Sequence, residues 1–219
     1  MAALPQASFA PSTAKGMRTR ARILEAARHV FARDGFVEAT MGEIASASRL
    51  SVGGLYRYFT SKEEVFSALV ADLIEKLYDA SGHTTHAFAS APYDALLEAN
   101  RGYLSVYHAN RDLLRAFVEA VAVDLRFRQM WWRARRRHVR RFVQAARTLS
   151  GHRKVDGVEI ETVVEAMACM VEQSAYLWWA QEALAEREVS VEEAAQVVTR
   201  AWYLSIFKGG TAGGGITAG

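Results

Sequence analysis

Cysteine is almost absent. Cys169 stands alone among 219 residues, which excludes a disulfide framework within the chain and a cysteine metal cluster. Proline is scarce as well. Pro5, Pro11 and Pro92 are the only three, so few breakers interrupt the chain after residue 15 and long helices are expected. No apolar run approaches the length of a membrane span, and residues 1–16 lack the apolar stretch of a secretory signal. No membrane partner is expected, and a cytoplasmic location is. A phosphate-cradling glycine loop is also missing, because Gly213-Gly214-Gly215 has no helix after it. The six histidines are scattered. His83 and His86 have a metal-like i, i+3 spacing but sit at a helix end, and Cys169 has no histidine near it. The expectation is a chain that is not an enzyme, with no catalytic residues, no metal and no cofactor.

What is present is ordinary globular composition, with 51% hydrophobic and 23% charged residues. The charge is unevenly placed. Between Lys15 and Lys62 nine basic residues face four acidic ones, an excess of five against a net +3 for the whole chain. A basic N-terminal module suits a polyanion, although charge alone is equally compatible with a solvated surface.

Apolar spacing organises the rest. Ile23, Ala26, Ala27, Val30 and Phe31 fall on one face of a helix from Thr19 to Arg33, and Asp34-Gly35 supplies a stop with Gly35 suited to a left-handed position. Thr40 and Glu43 form a capping box ahead of a short helix. Ser48-Arg49-Leu50 reads as a tight turn, and Ser51 as the N-cap of a helix from Val52 to Phe59. Ser61 and Glu64 form a second capping box, opening a long helix that ends near Gly82. Further helices are expected over 92–109, 110–122, 124–150, 159–186 and 190–207, with a polar loop over His152–Gly157 and a third capping box at Ser190 and Glu193. No convincing strand is visible. The fold class is therefore all-α, with about nine helices.

Residues 18–66 resemble the DNA-binding domain of the TetR family. The resemblance rests on Ile23-Leu24-Glu25-Ala26-Ala27, Phe31 and Gly35-Phe36. It continues through Thr40, Ile44-Ala45, Ser51 through Phe59, Lys62-Glu63 and Phe66. It implies a helix-turn-helix whose second helix enters the major groove, and a ligand-responsive repressor acting on a palindromic operator. A regulator without small-molecule control, or an activator, is the alternative.

The implied DNA-facing residues are Arg18, Thr40, Ser51, Val52, Gly53, Tyr56, Arg57, Tyr58 and Lys62. Tyr56 and Lys62 are implied phosphate contacts, while Val52, Gly53, Arg57 and Tyr58 face base edges or the groove wall. Thr40 stands at a helix N-terminus, where a phosphate can be bonded. Leu55 and Phe59 read as core. Where the family's turn usually carries glycine, this sequence has Arg49. Either Arg49 accepts a left-handed backbone, at a cost of roughly 1 kcal/mol, or the turn differs.

The resemblance further implies a homodimer built from Glu159–Glu186 and Ser190–Phe207, of which the first is apolar on nearly every side. An apolar or aromatic effector is expected between helices of the larger domain. The candidate lining is Asn100, Tyr103, Tyr107, Phe117, Val121, Trp131, Met170, Gln173, Ser174 and Trp178, with the two amides orienting the ligand. Nine arginines from Arg126 to Arg147 share one helix without an acid between 125 and 150. Such a block is normally a solvated face, with an acyl-CoA-like anionic effector as the functional alternative. The domain boundaries expected are an arm over 1–16, the DNA-binding domain over 17–62, the effector and dimerisation domain over 63–208, and a Gly-rich tail over 209–219.

Overall fold

The computed structural model describes residues 13–82, 90–150, 153–181 and 187–208. His83 and His86, most of the N-terminal arm and the Gly-rich tail lie outside them. The described residues form nine α-helices and one very short hairpin, as an all-α reading requires. They divide into two compact units.

The first unit is built around α1 (Ala14–Glu38), α2 (Met41–Ala47), α3 (Val52–Tyr56) and the N-terminal part of α4 (Lys62–Asp79). Helix α1 starts earlier than the apolar periodicity suggests. The Thr13 hydroxyl accepts from the Gly16 N–H at 3.1 Å and caps it, so residues 14–16 are helical rather than part of an arm. At Gly35 the helical geometry breaks, with φ 78° and ψ −178°. Only glycine suits this backbone, and space demands it too, since an added Cβ would stand 2.4 Å from Glu119 Oε2.

Glu119 belongs to α6 (Arg111–Val123), which also packs in the first unit, followed by α7 (Leu125–Ser150) as far as Arg133. The expected boundary at residue 62 therefore does not describe the compact division. Helix α6 is bonded to α1 through side chains. Arg28 Nη2 donates to Asn110 Oδ1 at 2.6 Å, Arg115 Nη2 donates to the Ala32 carbonyl at 2.8 Å, and the Phe36 N–H donates to Glu119 Oε2 at 2.8 Å. Phe31, Phe36, Phe66 and Phe127 close the core beneath, with ring centroids 4.5 to 5.3 Å apart for the nearest pairs.

The second unit holds α5 (Pro92–Ala109), the rest of α7, α8 (Ile160–Ala175) and α9 (Val191–Tyr203), together with the end of α4. Pro92 opens α5, the position its missing N–H favours. Helix α9 packs along α5, where the buried Asn100 Nδ2 donates to Thr199 Oγ1 at 2.9 Å. Arg101 holds Glu192 through two hydrogen bonds. The segment read as a polar loop contains a hairpin. Lys154–Val155 (β1) pairs with Val158–Glu159 (β2), and both turn residues, Asp156 and Gly157, have positive φ. Asp-Gly at the two central positions is the signature of such a turn. Helices α8 and α9 each finish in a π-helical turn, Tyr176–Ala180 and Leu204–Lys208.

Candidate nucleic-acid interface and internal cavity

The N-terminus of α2 is held by a complete capping box. The Glu43 N–H donates to Thr40 Oγ1 at 3.3 Å, and Thr40 N–H and hydroxyl donate to Glu43 Oε2 at 3.0 and 2.7 Å. Six residues after Glu43, the chain turns. Arg49 has φ 55°, so of the two possibilities the sequence left open it is the left-handed one that occurs. The Ser51 hydroxyl then accepts from the Gly54 N–H at 3.1 Å and starts α3.

Helix α3 and the turn after it sort their side chains cleanly. Leu55 and Phe59 are buried, whereas Val52 is 45% and Tyr56 51% exposed. A core role for Tyr56 is thereby excluded. Val52 and Tyr56 are one helical turn apart and share a face. Ser51, Gly53 and Arg57 are also exposed, and Tyr58 is half-buried. The two glycines differ in kind. A Cβ on Gly54 would press against Ser51 Oγ at 3.1 Å, so Gly54 serves the cap. A Cβ on Gly53 would meet nothing within 4 Å, so the fold itself does not require glycine there. Arg18 and Thr40 are exposed on α1 and ahead of α2.

Lys62, expected at a phosphate, has its ammonium engaged within the protein. Its Nζ donates to the carbonyls of Phe36, Val37 and Ala39 at 2.9, 2.6 and 3.0 Å and lies over the Phe36 ring. An ammonium has three protons, and all three are committed to closing the end of α1 in this arrangement. Glu64 also departs slightly from the predicted box: its own N–H donates to Ser61, but its carboxylate accepts from Thr60.

With this geometry in view, comparison with known proteins becomes specific. Residues 23–69 match "Bacterial regulatory proteins, tetR family". The match is confined to this N-terminal segment. The Bacillus subtilis regulator YfiR, an uncharacterized HTH-type transcriptional regulator, is 37% identical over 89 residues, covering 38% of this chain and 43% of that protein. The HTH-type transcriptional regulator UidR of Escherichia coli K12 is 44% identical over 52 residues, 24% of this chain and 26% of its own. The chain thus spans less than half the length of these curated relatives. The fold likeness reaches further. A TetR-like transcriptional regulator from Rhodococcus sp. RHA1 matches 85% of this chain and 94% of its own at a TM-score of 0.65 and 22% identity. The relatives and structures compared are described as transcriptional regulators.

Within the second unit a cavity is lined by Tyr78, Ser81, Asn100, Tyr103, His138, Phe142, Ala168, Val171, Glu172 and Trp202. It is narrow, leaving about 20 Å³ for the centre of a water molecule to move in. Its polar groups are mostly engaged. Glu172 accepts from the Tyr78 hydroxyl and from Arg135 Nε, each at 3.0 Å. Burial raises the Glu172 carboxyl above its ordinary value against the pull of Arg135. Arg135 Nη2 also lies 3.0 Å from Cys169 Sγ. Burial first, then the charges of Arg141 and Arg135, lower the His138 imidazole to about 3, so it is neutral, with Nδ1 3.2 Å from Ser81 Oγ. Trp202 Nε1 is buried and has no hydrogen-bond partner among the described residues.

Of the ten residues expected to line a pocket, this cavity brings together Asn100 and Tyr103. Phe117 is buried beside Phe127 in the first unit, where Val121 and Trp131 also lie. Tyr107 is buried against Tyr103 and Trp179 without lining the cavity. Met170, Ser174 and Trp178 are half-buried and Gln173 is exposed, and none of the four lines this cavity. Sequence reasoning missed Tyr78, Ser81, His138, Glu172 and Trp202. Arg135, His138 and Phe142 recur at helical spacing, and that was the available signal inside the arginine block. Several of the arginines serve the protein itself: Arg126 pairs with Asp124, Arg128 with two carbonyls, Arg141 with the Tyr78 carbonyl, and Arg147 with Glu161. Among the described residues no acidic, histidine and cysteine cluster is suited to a metal, and no helix is long and apolar enough to cross a membrane.

Proposed function

We propose that the protein is a ligand-responsive, DNA-binding transcriptional repressor that works as a homodimer on a palindromic operator. One observation carries this reading. In the segment matched to the tetR family, a short helix and the turn after it bury Leu55 and Phe59 and leave Val52, Gly53, Tyr56 and Arg57 facing outward. Large apolar groups on an exposed helix beside a cation suit a groove of DNA: phosphates position, base edges specify.

A dimer places two such helices on one side of a duplex, and its two-fold symmetry is mirrored by the operator. Support for pairing through the last two long helices, Glu159–Glu186 and Ser190–Phe207, comes from Leu177, Val197 and Leu204, which are exposed. Trp202 does not belong to that surface, because it is buried against Phe142.

The effector in this reading is neutral and largely aromatic or apolar, with one hydrogen-bond acceptor. The cavity's ion pair is already compensated, its imidazole is neutral, and Trp202 Nε1 is a donor in need of an acceptor. A charged acyl-CoA-like effector has no counterion waiting in it. The cavity must widen to admit such a ligand, so ligand selects a state other than this one. A regulator without small-molecule control, or an activator, is the second reading, and the narrowness of the cavity favours it.

Selection from a pool of random duplexes tests the DNA reading: an enriched inverted repeat is the expected result, and no enrichment overturns it. Titration of that operator with and without a panel of neutral aromatic compounds tests ligand control. An effector lowers operator affinity by the factor by which operator lowers its own, typically about 1–3 kcal/mol of coupling. No change across the panel leaves the plain DNA-binding regulator.

A further inference from the structure

The turn between α2 and α3 contains the one arginine of the described residues that adopts a left-handed backbone. The other non-glycine residue with positive φ, Asp156, sits in a hairpin turn that calls for this conformation, and aspartate tolerates it. Arginine has no such tolerance, and glycine or asparagine would relieve the strain. The turn's backbone does not depend on the side chain, because Arg49 N–H bonds the Ser46 carbonyl at 3.0 Å and Leu50 N–H bonds the Ala45 carbonyl at 2.9 Å. Nor is the strain offset inside the protein. The Arg49 side chain is exposed and makes no hydrogen bond or ion pair among the described residues. A strained residue that nothing within the fold compensates is a mark of function. Two residues on, exposed Ser51 and Val52 begin the helix proposed to enter the groove.

We propose that Arg49 is a DNA-backbone contact: its guanidinium takes a phosphate beside the groove occupied by α3, adding affinity without sequence preference. This rests on the DNA-binding reading above. A phosphate contact is sequence-independent, so a random-sequence duplex is a sufficient probe alongside the enriched operator. Each is titrated over a salt series with the full chain and with Arg49→Gly, Arg49→Asn and Arg49→Lys. Removing one phosphate contact flattens the slope of log K against log salt by about 0.9 and weakens binding about fivefold at 0.15 M salt. The expected result is this loss for Arg49→Gly and Arg49→Asn on both duplexes alike, with Arg49→Lys keeping the parent slope. Thermal melting of the same variants gives the opposite sign, a midpoint for Arg49→Gly raised by roughly 2 °C as the strain is relieved. A variant that melts later and binds less is not a folding defect. Parent-like slopes for Arg49→Gly and Arg49→Asn, or a slope lost equally in Arg49→Lys, overturn the proposal while leaving DNA binding intact. Failure of the parent to bind any duplex overturns the DNA reading and this contact with it.

Discussion

Glu119 accepts the Phe36 N–H at 2.8 Å, 83 residues away along the chain, at the point where Gly35 bends α1 out of helical geometry. The carboxylate satisfies a donor freed by that bend, and it occupies the space a side chain at position 35 would need. Gly35→Ala is expected to cost about 2–4 kcal/mol of stability, since it combines a strained φ with a clash. Glu119→Ala leaves a donor unsatisfied and is expected to cost about 1–3 kcal/mol. Urea denaturation of the two variants measures both losses.

Lys62 is expected to act on stability rather than on DNA. Lys62→Met leaves three carbonyls without their shared donor, at about 1–3 kcal/mol. The salt dependence of binding stays at the parent slope, whereas a lysine on a phosphate would flatten it by about one unit. Chemical denaturation and a salt titration of the same variant separate the two.

How much of this was legible before the structure depends on reach along the chain. The Thr40–Glu43 cap, the left-handed Gly35 and the burial of Leu55 and Phe59 all rest on local spacing, and periodicity with cap chemistry found them. Lys62 reaches carbonyls 23 to 26 residues back, and Glu119 reaches back 83. Nothing in a helical period encodes such partners, so order along the chain alone puts α6 with the later domain. The cavity escapes the sequence for a related reason. His138 and Arg135 lie inside an arginine-rich helix whose composition resembles a solvated face, yet both are buried. The aromatics chosen instead are mostly core.

His138 links stability to pH. Its folded value, about 3, lies below the ordinary 6.5 because the charged form is disfavoured in the core. Its contribution is therefore fully present above pH 6.5 and is lost as pH falls through 6.5 towards 3, where the unfolded chain takes up a proton that the folded chain refuses. Between pH 7 and 5.5 the parent loses up to about 1.4 kcal/mol per pH unit from this group. Glu172, raised from its ordinary value by burial, acts in the opposite sense. Denaturation of the parent and of His138→Gln across pH 7 to 5.5 tests this: the slope is expected to be shallower in the variant, and identical slopes contradict it.

Pairing of two chains is expected to use residues exposed on the last two long helices. Val197→Glu and Leu204→Glu should dissociate the dimer while leaving melting nearly unchanged. Trp202→Glu should instead unfold the second unit, because it places a charge in the core beside Phe142. Sedimentation and thermal melting distinguish the outcomes. A parent that sediments as a stable monomer at micromolar concentration contradicts the dimer.

The central claim is that α3 presents its exposed face to DNA, and Gly53→Ala tests it most directly. The added methyl meets no atom of the protein within 4 Å, so it spares the fold and obstructs only a partner brought close to that backbone. The measurement is operator affinity of the parent, Gly53→Ala and Arg57→Ala, each checked for an unchanged melting midpoint. The account predicts weaker binding by Gly53→Ala, and a loss of about 1–3 kcal/mol with relaxed sequence preference for Arg57→Ala. Both variants binding the operator as tightly and as selectively as the parent would contradict it.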